Sequence, residues 1–243
     1  MKYKGLYKFV FMLILLSFTQ AALAEAYSGI MTKEKQASMT PQEVLERLKE
    51  GNQRFISGQM KNRDLGAQAS TTTTGQYPVA VILNCMDSRT PPELVFDQGL
   101  GDVFAMRIAG NILNNDLLGS MEFGTKLAGA KLIAVIGHTG CGAIRGACQH
   151  AKLGHLTGLL QKIQPAIAQA SKATDGKREC TRAEFIDQAA KDNVLMVIKQ
   201  IQTNSPVIKR LIAEGKVGIV GGMQDLATGQ VTFFEDASMM PKN

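Results

Sequence analysis

The chain has no tryptophan and only three histidines and four cysteines in 243 residues. So few cysteines cannot make a disulfide-stapled scaffold, and so few potential ligands cannot make a metal store, although they suffice for one metal site. Only 20% of the residues are charged while 45% are hydrophobic, which excludes a disordered or collagen-like chain and leaves a globular protein able to bury a core. A strong excess of one charge sign is also missing. The formal net charge is +6, but Lys2, Lys4 and Lys8 lie in an N-terminal leader, and 27 basic residues less those three against 21 acidic ones leave +3. That balance gives no reason to expect a nucleic-acid partner.

The leader is the first feature present. Residues 1–24 combine three lysines, the apolar run Phe9 to Leu16, and the small-x-small ending Ala22-Leu23-Ala24, the pattern of a cleaved secretory signal peptide. A membrane-spanning helix needs about 20 apolar residues, roughly twice this run. No later stretch is long and apolar enough to span, and no cysteine directly follows Ala24 to take a lipid. The mature chain is therefore expected to be periplasmic or secreted, with no membrane attachment once the signal is removed. Residues 25–39 read as a polar linker or arm, and residues 40–243 as a single domain.

Within that domain, helix starts are marked by capping patterns. Thr40-Pro41-Gln42-Glu43 combines a capping box with proline at the first helical position and predicts a helix from Pro41 to about Ser57. The same signature recurs at Thr90-Pro91-Pro92-Glu93 and Thr181-Arg182-Ala183-Glu184, and Ser205-Pro206 opens a helix through about Ala213. From Phe185, the residues Ile186, Ala189, Ala190, Val194, Val197, Ile198 and Ile201 recur at helical spacing. Between the helices lie short apolar runs at Val79 to Leu83, Val103 to Ile108, Leu132 to Ile136, Val217 to Val220 and Val231 to Phe234. Near-continuous runs of strand length describe strands buried on both faces. The fold class is α/β: a central, mostly parallel sheet, four parallel strands plus an antiparallel edge strand, flanked by helices on both sides, with an N-terminal helical arm. The threonine-rich stretch Ser70 to Gly75 and the polar stretch Ser171 to Cys180 read as exposed loops.

Ligands of open α/β sheets bind beyond the carboxyl ends of the strands. Two of those ends carry chemistry, Asn84-Cys85-Met86-Asp87-Ser88-Arg89 after the first run and Gly137-His138-Thr139-Gly140-Cys141-Gly142 after the third. Together they offer two thiols, an imidazole and a carboxylate, a donor set that suits tetrahedral zinc. Taken singly, Cys85 is as readily a small buried hydrophobe and His138 a satisfied loop histidine. Their joint occurrence at strand ends is what favours a metal.

Cys-x-Asp-x-Arg after one strand followed by His-x-x-Cys after another resembles the signature of the β-class carbonic anhydrases, here in a secreted or periplasmic bacterial form. The likeness extends to Glu46–Phe55, Pro92–Gly101, Arg107–Asn111, Leu132–Gly142 and Gly218–Phe234, nearly all of the mature chain. The resemblance implies one Zn2+ per subunit on Cys85, His138 and Cys141, with Asp87 and Arg89 as a catalytic dyad. It also implies reversible hydration of carbon dioxide to bicarbonate and a proton by zinc-bound hydroxide. Asp87 is available as a fourth ligand in a closed state, unless Arg89 holds it off the metal in a charge-assisted pair. Phe96, Val103 and Ala109 are candidate pocket lining by proximity to the motif.

The family implies a homodimer or homotetramer; the helix from Pro41 precedes the first strand and is expected to have no core strand of its own to cover, with the arm free to wrap a neighbour. One branch of the family regulates itself with bicarbonate through a tryptophan, a glycine and a tyrosine; this chain has Ile82, Asn84 and Gln224 at the matching positions, which puts that regulation in doubt. Cys148 and Cys180 either pair or serve as core and loop residues, and His150 and His155 are surface residues or proton carriers. Three other readings compete. The glycines from Gly137 to Gly146 suggest a nucleotide-binding turn, but their spacing matches neither nucleotide fingerprint. A non-catalytic zinc protein, closed by Asp87, is the second. A carbon disulfide or carbonyl sulfide hydrolase on the same fold is the third.

Overall fold

The computed structural model describes residues 29–234 and 238–241, so the leader and the start of the expected arm lie outside the described residues. Five strands, β1 (Ala80–Asn84), β2 (Val103–Arg107), β3 (Leu132–His138), β4 (Gly218–Gln224) and β5 (Val231–Phe233), form one sheet in the order β2-β1-β3-β4-β5. β1 to β4 pair in parallel and β5 runs antiparallel to β4, the expected architecture. β3 and β4 extend past their apolar runs through Gly137 and His138 and through Gly221 to Gln224. The ladder bonds backbone groups and does not require apolar side chains at its end.

Among the described residues, ten α-helices surround the sheet: α1 (Lys33–Ser38), α2 (Pro41–Ile56), α3 (Leu65–Thr71), α4 (Pro92–Val95), α5 (Asn115–Glu122), α6 (Gly142–Cys148), α7 (Gly154–Gln161), α8 (Gln164–Ser171), α9 (Ala183–Asn204) and α10 (Pro206–Ala213). Strand side chains alternate between faces. Val81 and Leu83 of β1, with Ile133 and Val135 of β3, pack under Val194, Val197, Ile198 and Ile201 of α9 and Ile208 and Leu211 of α10. Ala80, Ile82, Ala134 and Ile136 face the other way, under Val44, Leu45 and Leu48 of α2. Each fully buried Leu or Ile contributes about 1.5–3 kcal/mol, so both layers are needed to hold a sheet buried on its two sides. Among the described residues no helix is long and apolar enough to cross a membrane.

Helix α2 therefore covers its own sheet, which corrects the expectation that it lacks a strand to cover. Its capping box forms as the sequence implies, with Thr40 and Glu43 bonding each other's backbone. Glycine is required at Gly51, where a Cβ would stand 1.8 Å from the Phe96 carbonyl oxygen. Beside it the buried Asn52 donates to the Val95 and Gly229 carbonyls, both at 3.0 Å, and accepts from the Val231 amide at 2.8 Å. One side chain thus ties α2 to α4 and to β5.

Other expectations need correction. The segment ahead of α2 is more than a polar linker: residues 33–38 form α1, and the buried Gln36 donates to the Pro78 and Ala128 carbonyls at 2.7 and 2.8 Å. The threonine stretch begins inside α3 and continues as a 3-10 turn over Thr72–Thr74. The hydroxyls of Ser70, Thr71 and Thr72 bond the carbonyls of Gly66, Ala67 and Gln68, so the polar side chains that obscure the helix in sequence are satisfied by its own backbone. Neither Thr90 nor Thr181 caps a helix; α4 and α9 start after Pro91 and Arg182, without a side-chain cap. Ser205 does cap α10, accepting from the Ile208 amide at 3.0 Å.

Candidate metal centre

The chain leaves β1 for β2 on one side and returns to β3 on the other, so the carboxyl ends of β1 and β3 flank a topological switch point, the usual ligand position of such sheets. Cys85 follows β1, His138 ends β3, and Cys141 follows one turn later as the residue before α6. Their ligand atoms lie within 4.8 Å of one another, and all three residues are buried.

Tautomer and thiol chemistry suit a cation. The His138 Nδ1 is 2.9 Å from the Thr139 carbonyl oxygen, which fixes it as the N–H nitrogen and leaves Nε2 with a lone pair. Nε2 is buried without a hydrogen-bond partner, an orphaned acceptor that a metal would satisfy. The Cys141 thiol hydrogen-bonds Cys85 and holds the Cys85 thiol down at about 4, while the same contact and burial push Cys141 up. A divalent cation favours both thiolates. Burial depresses the His138 imidazole, and the Cys85 sulfur and the Asp87 charge beside it more than offset this, raising it above its ordinary value. Two sulfurs and one nitrogen are a donor set for zinc with one position open.

The Asp87 carboxylate stands at the edge of this cluster, its Oδ2 4.0 Å from His138 Nε2. Arg89 grips it in a fork, Nε to Oδ1 at 2.9 Å and Nη2 to Oδ2 at 2.8 Å, and the Arg89 amide adds a third bond at 3.0 Å. The Arg89 guanidinium holds the Asp87 carboxyl well below the usual carboxylate range. Asp87 is thus a permanently ionised acceptor committed to Arg89.

Several residues that hold this geometry escape the sequence reading. Arg107 of β2 donates from Nε to the Cys85 carbonyl at 3.2 Å and from Nη2 to the Asp87 carbonyl. The Thr90 hydroxyl lies 3.3 Å from the Cys85 carbonyl and 3.1 Å from that of Asp87. The Gly110 amide meets the Cys85 sulfur at 3.4 Å, and the buried Asn193 of α9 donates to the Gly110 carbonyl at 2.8 Å. Gly110 has φ +66°, and a Cβ there would stand 2.8 Å from the Ile163 side chain, so only glycine brings that amide to the sulfur. Asn193 had a signal, because it interrupts the apolar stripe of α9 with a polar side chain.

Phe96 and Val103 do not line this site. Phe96 is buried in the layer under α2, stacked on Phe233 at 6.1 Å between ring centroids, and Val103 packs into the same layer at the amino end of β2. Ala109 is adjacent to Gly110, in the turn that reaches Cys85. Ile82 is in the core, and the buried Asn84 donates to the Thr90 carbonyl. The buried Gln224 accepts the Thr139 amide on its carbonyl. Cys148 and Cys180 form a disulfide with Cα atoms 5.6 Å apart, settling the alternatives left open above. His150 stands at the far end of α6 from Cys141, against Arg178 at 2.7 Å, and His155 is exposed on α7.

Two thiols and an imidazole at the switch point of a parallel sheet, with an arginine-held carboxylate beside them, define a zinc-dependent α/β enzyme. The profile of the carbonic anhydrase family matches residues 80–231. A carbonic anhydrase of Mycolicibacterium smegmatis is 33% identical over 190 residues, covering 76% of this chain and 88% of that protein. Carbonic anhydrase 2 of Mycobacterium tuberculosis is 32% identical over 189 residues, covering 75% and 87%. A solved structure from work on two tetrameric β-carbonic anhydrases of Sordaria macrospora superposes with a TM-score of 0.63 at 25% identity, covering 69% of this chain and 85% of that one. The chain belongs to the β-class carbonic anhydrase family, and among the described residues the cluster of Cys85, His138 and Cys141 is the one that fits its zinc site.

Proposed function

We propose that Asp87 and Arg89 are the residues through which this chain carries out its reaction, the zinc-dependent reversible hydration of carbon dioxide to bicarbonate and a proton. The observation that carries this reading is the position of Asp87: its Oδ2 faces His138 Nε2 at 4.0 Å while Arg89 occupies both its oxygens. When bound by Cys85, His138 and Cys141, zinc supplies a Lewis acid that makes water a nucleophile near neutral pH. Asp87 would accept a hydrogen bond from the attacking water and orient it toward carbon dioxide. Arg89 keeps the carboxylate ionised and, by engaging both of its oxygens, competes with its binding a metal, which opposes the closed, structural-zinc reading. So acidic a carboxylate is a poor proton store, so the released proton leaves to solvent buffer. Asp87→Asn should keep its zinc and lose hydration; full activity in zinc-replete Asp87→Asn would remove the dyad from the mechanism.

The same proposal places the mature protein outside the cytoplasm, in the periplasm or secreted. The leader sequence supports it, and so does the Cys148–Cys180 bridge, since disulfides persist in oxidising compartments. The mass of the chain recovered from a periplasmic extract tests this, with cleavage after Ala24 expected and an intact leader on a cytosolic protein contradicting it. We also propose a homodimer or homotetramer. The tetrameric relatives from Sordaria macrospora support it, as do the exposed apolar side chains Met86, Leu94, Phe123 and Leu127. Light scattering that finds only monomer at micromolar concentration would overturn it.

A further inference from the structure

Helix α9 stands behind the metal centre and reaches both sides of it. Toward Cys85 it works through Asn193 and Gly110, as described above. Toward Cys141 it works through Asp187, whose carboxylate accepts the Gly140 amide at 2.7 Å. Gly140 lies between the two ligands His138 and Cys141, so this bond fixes the peptide that sets their separation. Charge-assisted bonds of this length are among the stronger ones a side chain makes to backbone.

An acid early in a helix commonly serves the helix dipole, an effect that falls off within the first turn. Asp187 lies past that turn, because α9 begins at Ala183 and its first-turn acid is Glu184. No ion pair among the described residues uses Asp187. Among the described residues, the hydrogen bond its carboxylate makes is the one to the ligand loop.

The start of α9 is itself anchored to the other end of that loop. Helix α6 begins directly after Cys141 and ends at Cys148, which is bonded to Cys180 just ahead of α9. The chain thereby closes a ring: from Gly140 through Cys141 and α6 to Cys148, across the sulfur bridge to Cys180, into α9, and back through Asp187 to Gly140. Phe185 and Ile186 of α9 pack in one cluster with Ile144 and Cys148 of α6 and with Cys141 itself, so the interior of the ring is filled.

We propose that Asp187 is a positioning residue for the metal-ligand loop and that the Cys148–Cys180 disulfide holds Asp187 in place, so that zinc retention depends on the two as one unit. This rests on the zinc site assigned above. Removing partners that orient metal ligands weakens metal binding by about 10- to 100-fold, and members of one unit do not act additively.

The test uses the full chain loaded with zinc, whose metal content is measured first and whose metal is then drawn off by excess chromophoric chelator. Wild type is expected to hold close to one zinc per chain; none would overturn the site assignment itself, a different result from those that follow. Asp187→Ala should release zinc about tenfold faster, while Asp187→Asn, which keeps an oxygen to accept the Gly140 amide, should release it near the wild-type rate. The Cys148→Ala/Cys180→Ala variant should also release zinc faster, with Asp187→Ala adding little on that background. Amide hydrogen exchange at Gly140 should follow the same order, and the two Asp187 variants stand alone if the disulfide variant does not fold. An unchanged release rate in Asp187→Ala, equal acceleration in Asp187→Asn, or multiplicative effects of the two lesions would overturn the proposal.

Discussion

Two aspartates ten positions apart are each gripped by arginine, and they differ in what the grip is for. Asp97 is fully buried, and its carboxylate receives Arg54 from α2 and Arg63 from the segment before α3. Arg63 also reaches the Asp97 backbone carbonyl. Asp87 keeps 18% of its side chain exposed and is held by one neighbour, Arg89, itself 63% exposed. A carboxylate shared by two distant segments and closed off from water is a fastener. One held by a local, solvated arginine at the rim of a metal cluster is placed to act on something that enters. Identical pair chemistry thus serves stability in one place and reactivity in the other, and burial decides which.

The largest effect should come from breaking the fastener. Asp97→Asn leaves two arginines facing an uncharged amide in the interior, and loss of one partner from a buried pair costs about 3–5 kcal/mol. For a domain of this size that lowers Tm by roughly 10 °C, while hydration per bound zinc at low temperature stays near wild type. Thermal unfolding and zinc-normalised rates on one sample check both halves. Asp87→Asn should do the reverse, cutting hydration by about 100-fold with Tm almost unmoved. A variant that lost stability and activity together at either position would dissolve the distinction.

Arg89→Lys sharpens it further. Lysine keeps the charge but cannot fork across two carboxylate oxygens, so a decrease of about tenfold in hydration, with normal zinc content, is expected from steady-state kinetics. The smallest effect is in acid. Arg63 and Arg54 outweigh the burial that would raise the Asp97 carboxyl, so it titrates below its ordinary value. A depressed folded value stabilises fully above the unfolded carboxylate pKa, about 3.9, and that contribution is lost as pH falls through the folded value. Denaturant titrations from pH 5 downward should therefore show a shallower loss of stability in Asp97→Asn than in wild type.

How much of this was legible in the sequence depends on how local each interaction is. Cys85, Asp87 and Arg89 are readable because they fall within one turn at a strand end, and His138 and Cys141 because a buried apolar run points at them. Thr40 and Ser205 cap as read, since a cap is satisfied within three residues. Thr90 and Thr181 show the same local pattern and do not cap. The Thr90 hydroxyl is drawn to the Cys85 and Asp87 carbonyls, a tertiary demand that overrides the local one. Asp187, Arg107 and Gln36 carry no local signal, because each serves a backbone group far away in sequence. The pairing of Cys148 with Cys180 likewise follows from how α6 and the start of α9 approach each other, which spacing along the chain does not encode. Phe96 and Val103 lie away from the cluster for the same reason: closeness to a motif in sequence is not closeness to the side of the sheet on which the motif acts.

The most direct test of the account is stopped-flow hydration of carbon dioxide by the purified full chain, with zinc determined on the same sample. About one zinc per chain is expected, with a hydration rate that is abolished by chelation and restored by zinc. A chain carrying its full zinc that hydrates no carbon dioxide at any pH would contradict it.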